Sequence, residues 1–173
     1  MLAGLDLRGV RTIVEYGPGT GVFTRAVVDA LGAAGNTRAR VVAVELNVAM
    51  AERLRDEMRA LGGRVEVRHD NALRTPEILR ELGEERADVV VSGLGWPSLP
   101  ASLRRGLIEQ TAGLLAGGGS FRTFGYHVGL TMPGAWEFRR LVREKFERVR
   151  VSDVVWGNVP PAFVYECDRV PVA

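Results

Sequence analysis

A chain of 173 residues, 46% hydrophobic and 25% charged, has the balance of one globular domain with a substantial core, which argues against a disordered, fibrous or multidomain chain. Subtracting 21 acidic from 23 basic residues leaves a net charge of +2, far short of what a dedicated nucleic-acid coat carries. Cys167 is the only cysteine, so neither an intramolecular disulfide nor a cysteine metal cluster can form, and a cytoplasmic setting fits.

No basic flank or long apolar run opens the chain. The longest uncharged stretch, 89–103, is interrupted by Gly93, Gly95, Pro97 and Pro100, so neither export nor membrane spanning is encoded. From Thr12 onward short β-branched runs alternate with segments of helical spacing, the signature of a parallel sheet with helices on its faces. The pattern predicts strands over 12–16, 41–45, 65–69, 88–92 and 120–126, mostly near-continuous apolar runs, as expected where both faces are covered. Helices are predicted over 21–31, 48–61, 75–82 and 103–115, the last with Ser102 as its cap and Gly117-Gly118-Gly119 as its stop. A further helix over 134–146 precedes two strands, 149–156 and 162–167, joined by Gly157-Asn158-Val159-Pro160-Pro161. So short a connection forbids a parallel return, which makes the final pair antiparallel. The expectation is one α/β domain over 1–173 with seven strands and no internal repeat.

The chemistry begins where the first strand meets the first helix, at Glu15-Tyr16-Gly17-Pro18-Gly19-Thr20-Gly21. Open α/β sheets bind nucleotides at this place. A dinucleotide fold wants G-x-G-x-x-G, but here the third glycine, Gly21, falls one residue early and Val22 takes the expected position. Glu15 puts negative charge where a pyrophosphate would be repelled and an ammonium welcomed. Glu45 ends the second strand, where a carboxylate can accept both hydroxyls of a ribose. Asp70 follows the third strand and can accept an exocyclic adenine amine while the N–H of Asn71 donates to a ring nitrogen. Acids at three successive strand ends spell an adenosyl amino acid. His69, beside Asp70, reads as structural, and no G-x-S-x-G elbow surrounds Ser92 or Ser98, so a hydrolase is not indicated.

On these residues the sequence, from Thr12 to Arg169, resembles the class I S-adenosylmethionine-dependent methyltransferases, whose E-x-G-x-G-x-G loop is matched by Glu15, Gly17, Gly19 and Gly21. The resemblance implies a Rossmann-like methyltransferase sheet of seven strands, mostly parallel with an antiparallel last strand and helices on both faces. It also implies S-adenosyl-L-methionine as cofactor, held by the glycine loop, Glu45, Asp70, Asn71 and Ser92.

The stretch Ser92-Gly93-Leu94-Gly95-Trp96-Pro97-Ser98-Leu99-Pro100 stands where that class faces the transferred methyl. It lacks the N-[LI]-P-[YF] element of rRNA adenine dimethylases, and with it the Asn acceptor that orients a nucleobase amine, so nucleic acid is disfavoured. It resembles instead the S-G-L-P-x-x-x-L-P element of rhizobial-type bacterial phospholipid N-methyltransferases. Phe124-Gly125-Tyr126 is similar to that family's F-T-Y, and Trp156-Gly157-Asn158-Val159-Pro160-Pro161-Ala162 to its W-R-N-L-P-P-A. Gly95 and Gly157 depart from it, replacing a proline and an arginine. The family's N-terminal helical lid has no counterpart ahead of Thr12, which reads as an absent lid.

The resemblance implies methylation of a phospholipid head-group amine such as that of phosphatidylethanolamine, with peripheral contact on the inner membrane face. Tyr126 and His127 are expected to position the amine or accept its proton, and Trp96, Tyr126 and Tyr16 to face a methylated ammonium through cation–π contact. Arg139, Arg140, Arg143, Lys145 and Arg148 form either a solvated helix face or a contact with anionic lipid. The alternatives are a methyltransferase of a soluble small molecule, an rRNA adenine dimethylase-like enzyme and an inactive cofactor-binding homologue.

Overall fold

A computed structural model describes residues 1–59 and 63–170. Its centre is a seven-stranded sheet in the order β3-β2-β1-β4-β5-β7-β6. The strands are β1 (Thr12–Tyr16), β2 (Arg40–Glu45), β3 (Val65–His69), β4 (Ala87–Ser92), β5 (Leu115–Tyr126), β6 (Arg148–Val151) and β7 (Ala162–Asp168). β1 to β5 pair in parallel, and β7 is antiparallel to both of its neighbours, β5 and β6. The strand order reverses between β1 and β4, which opens a crevice at their C-terminal ends.

Helices α1 (Val22–Ala33), α2 (Val48–Met58), α3 (Thr75–Glu81), α4 (Ala101–Leu114) and α5 (Pro133–Lys145) connect the strands. All five residues of β1 are buried, Glu15 among them, which is why its sequence shows no apolar–polar alternation. One sheet face packs Tyr16, Trp96, Ile108, Phe121, Phe138 and Leu141, and the other packs Ile13, Val27, Leu31 and Val91 with Leu7. No described helix is long and apolar enough to cross a membrane.

Three local expectations are corrected. α4 begins at Ala101 with Pro100 in the capping position, so Ser102 lies inside the helix and is not its cap. The glycines 117–119 are not a helix stop: α4 ends at Leu114 because Leu115 is already extended, and the glycines fall within β5, where the register against β4 shifts between Ala87 and Val89. A Cβ on Gly119 would sit 3.0 Å from the Asp88 carbonyl oxygen, so this irregular stretch admits little more than glycine. The strand expected over 149–156 stops at Val151, where Ser152 Oγ accepts the Val164 N–H at 2.9 Å, and it resumes only as the isolated bridge Val155↔Ala162. The end of the helix expected over 48–61 lies outside the described residues.

Candidate active site

The loop after β1 and the loop after β4 meet backbone to backbone. Gly17, Gly19 and Gly21 have φ of 63, 54 and 75°, the left-handed region. The N–H of Gly93 donates to the Tyr16 carbonyl at 2.8 Å, and a Cβ on Gly93 would lie 2.6 Å from the carbonyl oxygen of Gly17. Any side chain there would drive the two loops apart.

Glu15 is fully buried on β1, with Oε2 accepting the Thr24 hydroxyl at 2.6 Å and Oε1 without a hydrogen-bond partner among the described residues. Burial pushes its carboxyl up to about 7, opposed by the Thr24 hydrogen bond and reinforced by the nearby Glu45 charge. A buried acid with an unsatisfied oxygen demands an N–H donor, best a cationic one. Glu45 is 8% exposed; its Oε2 accepts the Gly19 N–H and its Oε1 the Asn47 N–H, both at 2.9 Å. It therefore ties the glycine loop to the end of β2 while each oxygen keeps a lone pair for a further donor.

Asp70 stands one strand further, its N–H bonded to the Glu45 carbonyl and its Oδ2 paired with Arg74 at 3.0 Å. Asn71 differs from expectation: its N–H donates to Asp70 Oδ1 at 2.7 Å rather than being free for a ring nitrogen, and its side chain accepts the Leu73 N–H as a cap. The reason is local, because an Asp at the start of a turn captures the nearest N–H. Ser92 is buried beneath the post-β4 loop, where its Oγ accepts the Leu94 N–H at 3.2 Å and its carbonyl accepts the Thr123 hydroxyl. Leu46 and Leu73 present exposed apolar surface next to Glu45 and Asn71, surface that a flat heteroaromatic ring can cover.

Between the glycine loop and the ends of β5 and β7 lies a cavity of about 450 Å³, walled by Phe23, Phe124, Tyr126, Val155 and Phe163, with Asn158 at its rim. Among the described residues no charged side chain lines it. Phe23 and Phe124 stand 5.5 Å apart, and Phe124 and Tyr126 meet edge to face at 5.2 Å, so an aromatic row runs from α1 along β5 to the cavity mouth. Tyr126 is 42% exposed there. Of this row the sequence assigned a role in the site only to Tyr126. Phe124 entered only as part of the F-T-Y-like stretch, and Phe23 carried no signal beyond apolar periodicity, since its contact with Phe124 joins α1 to β5.

Two expected aromatic residues are elsewhere. Trp96 is 1% exposed, packed against Phe121 and Phe138 at 5.7 and 5.2 Å, with Nε1 donating to Thr123 Oγ1 at 3.0 Å. It is a core residue and does not wall the cavity, because a large apolar ring with one N–H gains more from burial beside a hydroxyl. Tyr16 is likewise buried, its hydroxyl 3.4 Å from both Gln110 and Thr111. His127 is exposed, outside the cavity lining, with its ring edge against Trp156 at 5.4 Å. His69 is exposed, with Nε2 3.1 Å from the Leu46 carbonyl. A recess of about 500 Å³ opens at the opposite sheet edge, but it holds none of these residues, and Asp168 within it already pairs with Arg122 and Arg150.

The methyltransferase domain family matches residues 13–119. An ornithine lipid N-methyltransferase of Singulisphaera acidiphila is 32% identical over 160 residues, which cover 92% of this chain and 77% of that relative. Among solved structures, an O-methyltransferase family protein from Burkholderia thailandensis has a TM-score of 0.71 at 19% identity, over 99% of this chain and 55% of that one. A 16S rRNA N2 G1207 methyltransferase of T. thermophilus, solved with AdoMet and guanosine, has a TM-score of 0.67 at 21% identity, over 97% of this chain and 40% of that one. The chain thus spans 55% and 40% of these two structures, and the likeness to them is one of fold.

Proposed function

The chain belongs to the methyltransferase domain family and is an S-adenosyl-L-methionine-dependent methyltransferase; from that premise we propose that it N-methylates the amine of a lipid head group. The observation that carries this reading is the uncharged, aromatic-walled cavity beside the glycine loop, in a chain whose relative at 32% identity is an ornithine lipid N-methyltransferase. A cavity without charged side chains favours the neutral, nucleophilic form of an amine, since burial penalises the ammonium. Among the described residues no Lys or Arg side chain lines it to hold a nucleic-acid phosphate.

The residues fit the cofactor. The unsatisfied Oε1 of Glu15 suits its ammonium, Glu45 retains lone pairs for ribose hydroxyls, Asp70 can accept the adenine amine, and Leu46 and Leu73 can cover the ring. S-adenosyl-L-methionine supplies a methyl group on a sulfonium, a good leaving group. What remains for the protein is to hold the amine in line and exclude water, which is catalysis by orientation. In this reading the Tyr126 hydroxyl orients the amine, and the Phe124 and Tyr126 rings face the positive charge that develops on it. The proton leaves to water at the open rim, and the enzyme meets its substrate on the inner membrane face.

The test is methyl transfer from labelled S-adenosyl-L-methionine to phosphatidylethanolamine and to ornithine lipid in mixed micelles, with ethanolamine and ornithine as water-soluble controls. Turnover of either lipid above its free head group is the expected result, and the preferred lipid names the acceptor. Turnover of the free amines alone would move the assignment to a soluble small molecule.

A further inference from the structure

Two loops at the C-terminal edge of the sheet carry apolar side chains that the fold leaves unused. After β5 the chain passes through a 3-10 turn into α5, with Val128 68% and Trp136 71% exposed. Between β6 and β7, Trp156 is 69% and Val159 95% exposed. The loops touch: the His127 ring meets the Trp156 ring edge to face at 5.4 Å, and the His127 N–H donates to the Pro161 carbonyl at 2.8 Å. Residues 123–136 and 154–165 contain no Asp, Glu, Lys or Arg, in a chain that is 25% charged. Tyr126, the last residue of β5, and Val155 and Asn158 of the β6–β7 loop line the cavity.

Charge is arranged behind this tip. α5 follows a parallel strand and returns toward the opposite sheet edge, so residues later in it stand further from the tip. Arg140 and Arg143 follow Trp136 by four and seven residues on one helix face, about 6 and 10 Å further along the axis. Both are exposed, and neither forms an ion pair among the described residues.

Resting on the lipid reading above, we propose that the 3-10 turn after β5 and the β6–β7 loop form a docking tip that enters the interface of an anionic bilayer and sets the cavity mouth at head-group depth. Tryptophan and valine leading, no acid among them and arginines set back by one to two helical turns is the order in which a bilayer presents acyl boundary and then phosphate. A protruding loop whose Val159 is almost wholly exposed suits insertion better than a flat protein partner.

The test uses vesicles of phosphatidylethanolamine with phosphatidylglycerol. Trp136 and Trp156 are exposed while Trp96 is already buried, so wild type should sediment with the vesicles and shift its tryptophan emission to the blue. The pair Trp156→Ala and Val159→Asp should lower vesicle partitioning about tenfold, with S-adenosylhomocysteine affinity and turnover of a short-chain monomeric lipid retained. The pair Arg140→Ala and Arg143→Ala should weaken partitioning and flatten its salt dependence. Unchanged partitioning of the loop variant, or a wild-type dimer that the loop variant abolishes, would overturn the tip. So would failure of wild type to bind vesicles while still methylating the monomeric lipid, a result that leaves the acceptor reading standing. Vesicle binding with no methylation of any lipid amine would sink the acceptor reading instead and keep the tip.

Discussion

The Glu45 carboxylate accepts the backbone N–H of Gly19 at 2.9 Å, joining the end of β2 to the middle of the glycine loop that leaves β1. One side chain thereby shapes the loop and offers its remaining lone pairs to a ligand. Replacing Glu45 by Ala should weaken S-adenosylhomocysteine binding by about 1.5 to 3 kcal/mol in a calorimetric titration, the range of hydrogen bonds to a charged group. Glu45→Gln keeps an acceptor for Gly19 and should lose less. Equal affinity of wild type and Glu45→Ala would remove Glu45 from the site.

Glu15 makes cofactor binding depend on pH. Its carboxyl is pushed up to about 7 by burial, and an ammonium partner favours the ionised form, so affinity should rise between pH 6 and 8. Glu15→Gln should be weak and flat across that range. The stability of the ligand-free protein runs the other way. A folded pKa raised above the unfolded value contributes stability that is full below about 4.5 and is lost as pH rises through about 7, an effect of roughly 3 kcal/mol. Ligand-free Glu15→Gln should therefore melt higher than wild type at pH 8 and closer to it at pH 5.

Trp96 should behave as a core residue. Truncation to Ala removes a ring packed between Phe121 and Phe138 and should cost about 3 to 5 kcal/mol in urea unfolding. Trp96→Phe loses chiefly the hydrogen bond to Thr123 and should cost about 1 kcal/mol while keeping turnover. A stable Trp96→Phe with abolished turnover would return this residue to the acceptor site.

Tyr126 is the aromatic residue whose loss should be felt in turnover. Tyr126→Ala should lower the rate and leave S-adenosylhomocysteine affinity unchanged, because its contact strengthens as charge develops on the amine. Tyr126→Phe separates ring from hydroxyl: full activity assigns the effect to the ring, and a loss equal to that of Ala assigns it to the hydroxyl.

Arg104 clamps the acceptor-side loop from below. It is 4% exposed on α4, donates to the Trp96 and Pro97 carbonyls at 3.0 and 3.3 Å, and pairs with Glu137 of α5 at 2.8 Å. Glu137 keeps partial solvent access, so the loss falls chiefly on the Trp96 and Pro97 carbonyls left without their donor, and Arg104→Met should cost about 1 to 3 kcal/mol in denaturant unfolding. A loss below 1 kcal/mol would show that the loop holds itself.

The strands, most helices, the glycine loop and the acids Glu15, Glu45 and Asp70 were legible in the chain because their signals are local. Period, turn chemistry and an acid placed after an apolar run are all read within a few residues. The antiparallel character of the last strand followed from the short 157–161 connection for the same reason. Which way a loop aromatic turns is decided by partners distant in the chain. Trp96 goes into the core because Thr123 and Phe138 are waiting there, while Phe23 and Phe124 meet only once α1 lies across β5. The insertion of β7 between β5 and β6, which brings Val155 and Phe163 to the cavity and leaves Trp156 and Val159 exposed to solvent, is likewise a matter of pairing across the sheet. Local pattern specifies the elements and the cofactor end of the site. The acceptor end is assembled from contacts between them, so only the tertiary structure decides it.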